Sequence, residues 1–298
     1  MNSEKDVMAD ASAMRTSMHA LAVYGATPLF VLLWSGGAIF SRVGLSHASP
    51  FAFLTLRFVI ALPLLAAIGV ARRCMLPAPG TRVRVAVTGA LMIGGYSISY
   101  LLALDFGMTP GVLATVLGVQ PILTLLWMER RVSVARLAGL TLALAGLVTI
   151  VADSLMAARF SMAGWGAALA ALACMTVGAI GQKGIRQAAV EILPLQYTVA
   201  LAMCLLCVPF QPFRFEHVPG FFFPLLWMGI VISVVATLLF YRLIQAGNLV
   251  NVTSLFYLVP PVTVLLDFVA LSNRPAPLAL VGMIAIPVGL ALAFRAGR

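Results

Sequence analysis

Charged side chains are scarce in this chain. Asp, Glu, Lys and Arg together make up 9% of its 298 residues, whereas 62% are hydrophobic. Soluble domains carry about 25% charged residues, and no water-soluble fold of this length has enough interior to hide so much apolar surface. The composition therefore excludes a soluble domain and predicts a protein that crosses a membrane several times.

Patterns typical of enzymes and metal sites are missing as well. His19, His47 and His217 fall at helix ends or in loops, no two carboxylates share a membrane depth, and neither H-E-x-x-H nor a Walker A motif occurs. Cys204 and Cys207 form a C-x-x-C inside an apolar stretch, where redox or zinc chemistry is not expected. We therefore expect no metal, no cofactor and no enzymatic activity. An intramembrane enzyme and a channel stay as remote alternatives. The channel is remote because the sequence has neither a polar pore ring nor a filter-like loop.

Polar and helix-breaking residues divide the apolar sequence into ten stretches, each about 20 residues long, which is the length that crosses a bilayer as an α-helix. The predicted spans are 21–41, 49–71, 84–105, 109–129, 133–152, 161–182, 192–210, 221–246, 250–271 and 276–295. The fold class is thus an all-α polytopic membrane protein. Residues 1–20 lack the features of a signal peptide and are predicted to form a cytosolic tail.

The basic residues are distributed unevenly between the two ends of these spans. With a cytoplasmic N-terminus, 14 of the 19 fall inside and four outside, namely Arg42, Arg159, Arg214 and Arg274. Cytoplasmic loops of membrane proteins carry such an excess of Lys and Arg, so both termini are predicted in the cytoplasm. The same bias accounts for the net charge of +10 without a nucleic-acid partner.

The second half of the chain repeats features of the first. Gln120-Pro121 has a counterpart 140 residues later in Pro260-Pro261, each near the middle of an apolar span. Because five spans per copy is an odd number, the second copy must enter the membrane from the opposite side. Two inverted five-helix repeats with a break in each are typical of secondary transporters. The predicted repeats are 21–152 and 161–295.

Several short motifs agree with that layout: Trp34-Ser35-Gly36-Gly37, Pro50 followed by Arg57, the short connection from Asp105 to Gly111, and the prolines Pro121 and Pro260. In these the chain resembles the drug/metabolite transporter superfamily, in its ten-helix form with two EamA-type repeats, and within it the YddG-type amino-acid exporters of bacterial inner membranes. The resemblance implies export of small metabolites and a central cavity lined by helices 1, 3, 4, 6, 8 and 9.

Arg57 is the one basic residue predicted deep within a span, where its insertion costs about 2.5–3.5 kcal/mol on translocon scales. Two interpretations are open. Arg57 is either a structural latch, bonded to freed carbonyls or reaching outward to a carboxylate, or a contact for a substrate carboxylate.

Aromatic and amide side chains near mid-depth complete the predicted substrate-binding set: Trp34, Tyr96, Tyr100, Gln120, Tyr241 and Gln245. Buried Tyr and Trp offer apolar contact with one polar group, which suits small amphiphiles. Helix packing or an interfacial aromatic belt is the alternative. The breaks at Pro121, Pro260 and Pro261 are predicted to line the same cavity, where freed carbonyls are tolerated; a plain packing kink is the alternative.

Two short connections, 106–110 and 246–250, are related by the repeat. Gly107 and Met108 in the first, and Gly247 and Asn248 in the second, are predicted gating residues at the outer and inner faces.

The missing deep carboxylates favour neutral or anionic substrates over lipophilic cations, and aromatic or other neutral amino acids above all. Facilitated export by alternating access is expected, with a proton-coupled exporter of drugs or other metabolites as the alternative. The expected partners are the small-molecule substrate and membrane lipid, without nucleic acid, in a monomer or weak homodimer.

Overall fold

Ten apolar helices make up the computed structural model, which describes residues 25–74, 76–156, 161–210, 212–271 and 275–297. The first five are α1 (Gly25–Leu45), α2 (Pro50–Ala71), α3 (Arg82–Asp105), α4 (Pro110–Met128) and α5 (Val134–Ile150). The second five are α6 (Met162–Lys183), α7 (Ala189–Phe210), α8 (Pro219–Ala246), α9 (Leu249–Leu266, continued to Leu271) and α10 (Pro277–Arg295). Each corresponds to one predicted span, which confirms the all-α polytopic fold. The predicted tail 1–20 lies outside the described residues.

Nine of these helices are long and apolar enough to cross a membrane. The tenth, α5, has 17 residues and is about 25 Å long, at the lower end of the spanning range. A further helix of five residues, Ala152–Met156, follows it directly. In the described ranges extended pairing is limited to one isolated bridge, between Ala48 and Phe215, which ties the α1–α2 connection to the α7–α8 connection.

Local sequence signals fix where the helices begin. Four of them have proline in the first turn, where its missing N–H costs nothing: Pro50, Pro110, Pro219 and Pro277. Thr109, Ser161 and Asn248 precede helices and accept hydrogen bonds from backbone N–H groups of the first turn. These caps matter because unpaired backbone groups are costly near hydrocarbon.

The packing of α5 against α10 shows that the two repeats run in opposite directions. A Cβ on Gly139 would lie 2.6 Å from the Gly289 carbonyl oxygen, and one on Gly146 would lie 3.2 Å from the Gly282 carbonyl oxygen. Residue numbers therefore rise along α5 as they fall along α10, so the last helices of the two copies are antiparallel. Glycine at these positions lets the two backbones touch.

The terminal face is the one at which α1 begins and α10 ends, and the opposite face carries the α1–α2, α3–α4 and α7–α8 connections. Between the faces α2 packs on α7 and α8, and α3 packs on α6 and α7. At the centre the Phe58 ring meets the Tyr197 ring edge-on, with centroids 5.5 Å apart.

Candidate functional site: a cavity between the repeats

The helix breaks lie where the prolines predict them. In α4, Gly118 and Val119 separate the helical segments Pro110–Leu117 and Gln120–Met128. In α9, the tight 3₁₀ turn Leu255–Leu258 separates two α-helical segments directly before Pro260. Proline has no N–H and its ring clashes with the preceding turn, which explains the loss of regular hydrogen bonding at both places.

One hydrogen bond joins the two breaks. The Tyr257 hydroxyl, in the 3₁₀ turn of α9, donates to the carbonyl oxygen of Gly118 in the break of α4. Tyr257 is buried, so this bond satisfies a carbonyl that the α4 ladder leaves open. The break in each repeat is thus stabilised by the other repeat.

Two further helices are irregular at mid-depth. The segments Ala90–Gly95 of α3 and Trp227–Ala236 of α8 are wound as π-helix, and these are equivalent helices of the two repeats. A π segment widens the helix locally and is frequent at functional sites. Tyr96 follows the first segment directly, and Thr237 follows the second.

These irregular segments surround a central cavity of about 150 Å³, comparable to an engineered cavity that binds benzene. Six of the seven predicted substrate-binding residues line it: Trp34, Arg57, Tyr96, Tyr100, Gln120 and Tyr241. Pro121 and Pro260 line it as well. All six helices implied by the family resemblance contribute, together with Arg57 of α2, Leu147 of α5 and Tyr197 of α7.

Arg57 is anchored by a hydroxyl group. Its Nε donates to Ser233 Oγ at 2.7 Å, and Ser233 Oγ in turn donates to the carbonyl oxygen of Met228 at 2.8 Å within the π segment of α8. The guanidinium carbon lies 5.6 Å from the centroid of the neighbouring Phe58 ring. Among the described side chains no carboxylate pairs with Arg57, and its two terminal nitrogens carry no hydrogen bond. Because Arg57 is only partly buried and lines the cavity, these donors are available to a ligand.

Tyrosine is concentrated at the cavity. Five of the six tyrosines in the chain line it. Tyr197 donates to the Ser233 carbonyl oxygen at 2.7 Å, and Tyr241 donates to Gln196 Oε1 at 2.7 Å. The rings of Tyr96 and Tyr100 lie 5.7 Å apart, and within the described ranges their hydroxyls have no bond, so they are free to meet a ligand.

Tyr197 and Tyr257 also line the cavity but were not among the predicted site residues. Each is a hydroxyl in an otherwise apolar span, and such a group needs a partner inside the protein. That requirement could have identified both tyrosines from the sequence.

Gln120 is a second donor on the cavity wall. Its side chain is 2% exposed, and its Nε2 has no hydrogen-bond partner among the residues that the structure describes. An unpaired buried amide costs free energy unless water or a ligand accepts from it.

Two predicted residues lie apart from the cavity. Gln245 is one turn nearer the terminal face than Tyr241, and its Nε2 donates to the carbonyl oxygen of Gln187 in the α6–α7 connection. Pro261 sits beside the cavity-lining Pro260 without lining the cavity itself.

The aromatic floor, defined as Phe30, Trp34, Phe240 and Phe256, closes the cavity toward the terminal face. Neighbouring ring centroids lie between 5.2 and 5.9 Å apart. In the other direction the cavity reaches Pro110, the first residue of α4.

The predicted gating residues lie at opposite faces of the bundle. Gly107 has φ +89°, a left-handed conformation that favours glycine, and Met108 is buried against Gly164 of α6. At the terminal face the Gly247 carbonyl oxygen accepts from Lys183 Nζ at 2.6 Å, and Asn248 Oδ1 caps α9.

Comparison with known proteins decides the family. The model of the EamA-like transporter family matches residues 24–152 and 161–295, one match for each repeat. The chain belongs to this family. It is therefore a multi-pass membrane transporter with a small-molecule substrate and a lipid environment, and not an enzyme.

Individual relatives agree with the family match. An uncharacterized transporter of Archaeoglobus fulgidus is 28% identical over 281 residues, which cover 89% of this chain and 94% of that protein. A probable amino-acid metabolite efflux pump of Salmonella typhimurium is 27% identical over 196 residues, which cover 62% of this chain and 60% of that protein. A solved crystal structure with 25% identity superposes with a TM-score of 0.75, covering 91% of this chain and 98% of its own.

Proposed function

We propose that this transporter exports small metabolites that carry a carboxylate, in particular aromatic or other neutral amino acids. The observation that carries the proposal is the charge of the cavity. Among its described lining residues Arg57 is the one side chain with a permanent charge, and two of its nitrogens are open to the cavity. A guanidinium binds a carboxylate with two parallel hydrogen bonds in a fixed geometry.

The remaining lining fits the rest of such a substrate. Trp34, Tyr96 and Tyr100 present ring faces and polar edges, and a ring face attracts an ammonium group. The Gln120 amide adds an unpaired donor. The cavity volume favours one small molecule over a large lipophilic drug. The similarity to a probable amino-acid metabolite efflux pump supports the same substrate class.

The distribution of basic residues supports an orientation in the membrane. Within the described residues eleven Lys and Arg lie at the ends of helices that meet the terminal face, whereas Arg42 and Arg214 lie at the opposite face. Basic residues collect on the cytoplasmic side, so we place the terminal face in the cytoplasm of a bacterial cell, with the protein in the inner membrane. The transporter then works as a monomer or weak homodimer, by alternating access around the cavity.

Efflux from proteoliposomes tests the substrate class. Vesicles loaded with labelled phenylalanine, or with its decarboxylated analogue phenethylamine, are diluted into buffer and the retained label is followed. We expect the protein to accelerate the loss of phenylalanine relative to protein-free vesicles, and to leave the loss of the amine, which lacks the carboxylate, at the rate of those vesicles. Transport of the amine or of ethidium without movement of phenylalanine contradicts the proposal.

The same vesicles test coupling. Within the described part of the chain no Asp or Glu lines the cavity, so a pH gradient is expected to leave the final distribution of phenylalanine unchanged. Accumulation against its gradient on imposing a pH difference shows a proton-coupled exporter instead.

A further inference from the structure

A cluster of polar side chains lies at the terminal face, beyond the aromatic floor. Arg136, in the first turn of α5, is 2% exposed. It forms an ion pair with Glu129 at the end of α4, and its Nη2 donates to Asn248 Oδ1 at 2.9 Å and to Asn251 Oδ1 at 2.8 Å. Glu129 and Arg136 belong to the first repeat and the two asparagines to the second. The cluster therefore joins the repeats across the α8–α9 connection.

Asn248 has a double role in this cluster. The oxygen that accepts from Arg136 also accepts from the backbone N–H of Val250 at 3.0 Å, which makes Asn248 the N-cap of α9. Arg136 thus binds the point where α9 begins. Any movement of α9 away from α5 must break the bonds from Arg136.

Lys183 holds the same connection from the other side. Its Nζ donates to the carbonyl oxygens of Ile244 at 2.7 Å and of Gly247 at 2.6 Å, at the end of α8. A lysine at a helix C-terminus satisfies carbonyls that have no partner within the helix. Lys183 and α8 belong to the same repeat, so this contact fixes the shape of the α8–α9 connection, whereas Arg136 bonds that connection to the other repeat.

Among the residues that the structure describes, the positions related by the repeat at the opposite face carry no equivalent of this cluster. Met108 and Gly111 stand 140 residues before the two asparagines. Ala279 stands three residues before Gly282 in α10, as Arg136 stands three residues before Gly139 in α5. Met108 packs in an apolar cluster with Val112 and Leu113. At the α3–α4 connection, the counterpart of the α8–α9 connection, apolar contacts therefore take the place of the bonds from Arg136. The ion pair at that face, His47 with Glu216, lies between the α1–α2 and α7–α8 connections.

We propose that Arg136 is the positioning residue that locks the terminal face shut, so that the cavity faces the opposite side until this bond breaks. The inference rests on the proposed alternating access. Hydrogen bonds to a charged group are stronger than neutral ones, and leaving the buried Arg136 side chain without its partners is costly. Opening of the terminal face therefore requires that the Arg136 guanidinium become hydrated.

Accessibility of two cysteines tests the lock, in a background where the four native cysteines are replaced. Ser254→Cys places a reporter at a fully buried position of α9 just beyond the cluster, and Ser97→Cys places one on the cavity wall of α3. Arg136→Gln removes the lock. Arg131→Gln, which removes the same charge from an exposed position in the neighbouring α4–α5 connection, is the matched control.

With Arg136→Gln we expect the labelling rate at position 254 from the terminal side to rise roughly ten- to a hundredfold, because loss of a hydrogen bond to a charged group shifts an equilibrium by about that factor. Labelling at position 97 from the opposite side should fall. Arg131→Gln should change neither rate. A variant that merely loosens the fold raises both rates, so the opposite signs distinguish a lock from general destabilisation.

Asn251→Ala provides a second variant, because it removes one acceptor and keeps both the ion pair and the cap of α9. A smaller shift in the same directions supports the lock. Unchanged labelling in both variants, or a rise at both reporters, overturns it. Labelling needs no substrate. If the two labelling rates change as expected in vesicles that transport no amino acid, the proposed substrate is wrong and the proposed lock is still supported.

Discussion

The Tyr257 hydroxyl donates its hydrogen bond to the carbonyl oxygen of Gly118, and this single bond connects the broken helix of one repeat to the broken helix of the other. The repeat relates Tyr257 to Leu117, which directly precedes Gly118, the residue that accepts the hydrogen bond. Tyr257 therefore stands close to the pseudo-twofold axis that relates the repeats. A cavity at such an axis can be opened from either side by the same relative movement of the two halves.

Tyr257→Phe leaves the ring in place and removes only the hydroxyl. The Gly118 carbonyl then has no partner in a buried site, and we expect the free energy of unfolding to fall by about 1–3 kcal/mol. Thermal unfolding in detergent measures this. Tyr100→Phe is the control, because within the described residues its hydroxyl forms no bond, and it should leave the unfolding temperature unchanged.

Arg57→Gln removes the charge from the cavity. We expect KM for phenylalanine efflux to rise roughly ten- to a hundredfold, since a charge-assisted pair is replaced by a neutral one. Ser233→Ala keeps the charge and removes the anchor of Nε, so KM should rise roughly two- to tenfold with little change in kcat. Equal KM values in both variants and the unsubstituted protein would show that Arg57 is a structural latch.

Gly139→Ala probes the contact between α5 and α10. Its Cβ would lie 2.6 Å from the Gly289 carbonyl oxygen and from the Ala293 backbone nitrogen, so the helices must move apart. We expect a loss of about 1–3 kcal/mol in stability, typical of overpacking. Gly166→Ala in α6 meets no atom within 4 Å and serves as control. If both variants unfold at the same temperature, the two helices are not closely packed.

Phe106→Cys and Ala246→Cys test the orientation. The two positions are 140 residues apart, both are exposed, and they lie at opposite faces of the bundle. With the terminal face in the cytoplasm, an impermeant thiol reagent added to whole cells should label position 106 and reach position 246 only after the cells are opened. Labelling in the reverse order would place the termini outside.

Much of the architecture was predictable because it depends on quantities that a single sequence contains. Span length gives the number of helices, the odd number of spans in each copy gives the inversion of the repeats, and Pro121 and Pro260 mark the helix breaks. The directions of individual side chains were harder to predict. Tyr241 and Gln245 share a helix face, but only Tyr241 reaches the cavity, because Gln245 lies one turn further on and bonds to the next connection.

Partners across the repeat were not predictable at all. In the sequence Arg136 looks like any basic residue at the end of a span. Nothing in the pattern around it indicates that its side chain is only 2% exposed. Its acceptors Asn248 and Asn251 are more than a hundred residues away. Such contacts become visible only when the two copies are placed against each other.

The close contact of α5 with α10 has a mechanical consequence. Where two backbones touch through glycine, neither helix has side chains that can slide or repack, so this seam is the least able to change its spacing. If the halves tilt about that seam as about a fulcrum, widening at one end of the bundle brings narrowing at the other. The two faces then cannot be open at the same time, because the rigid contact between α5 and α10 couples their movements mechanically.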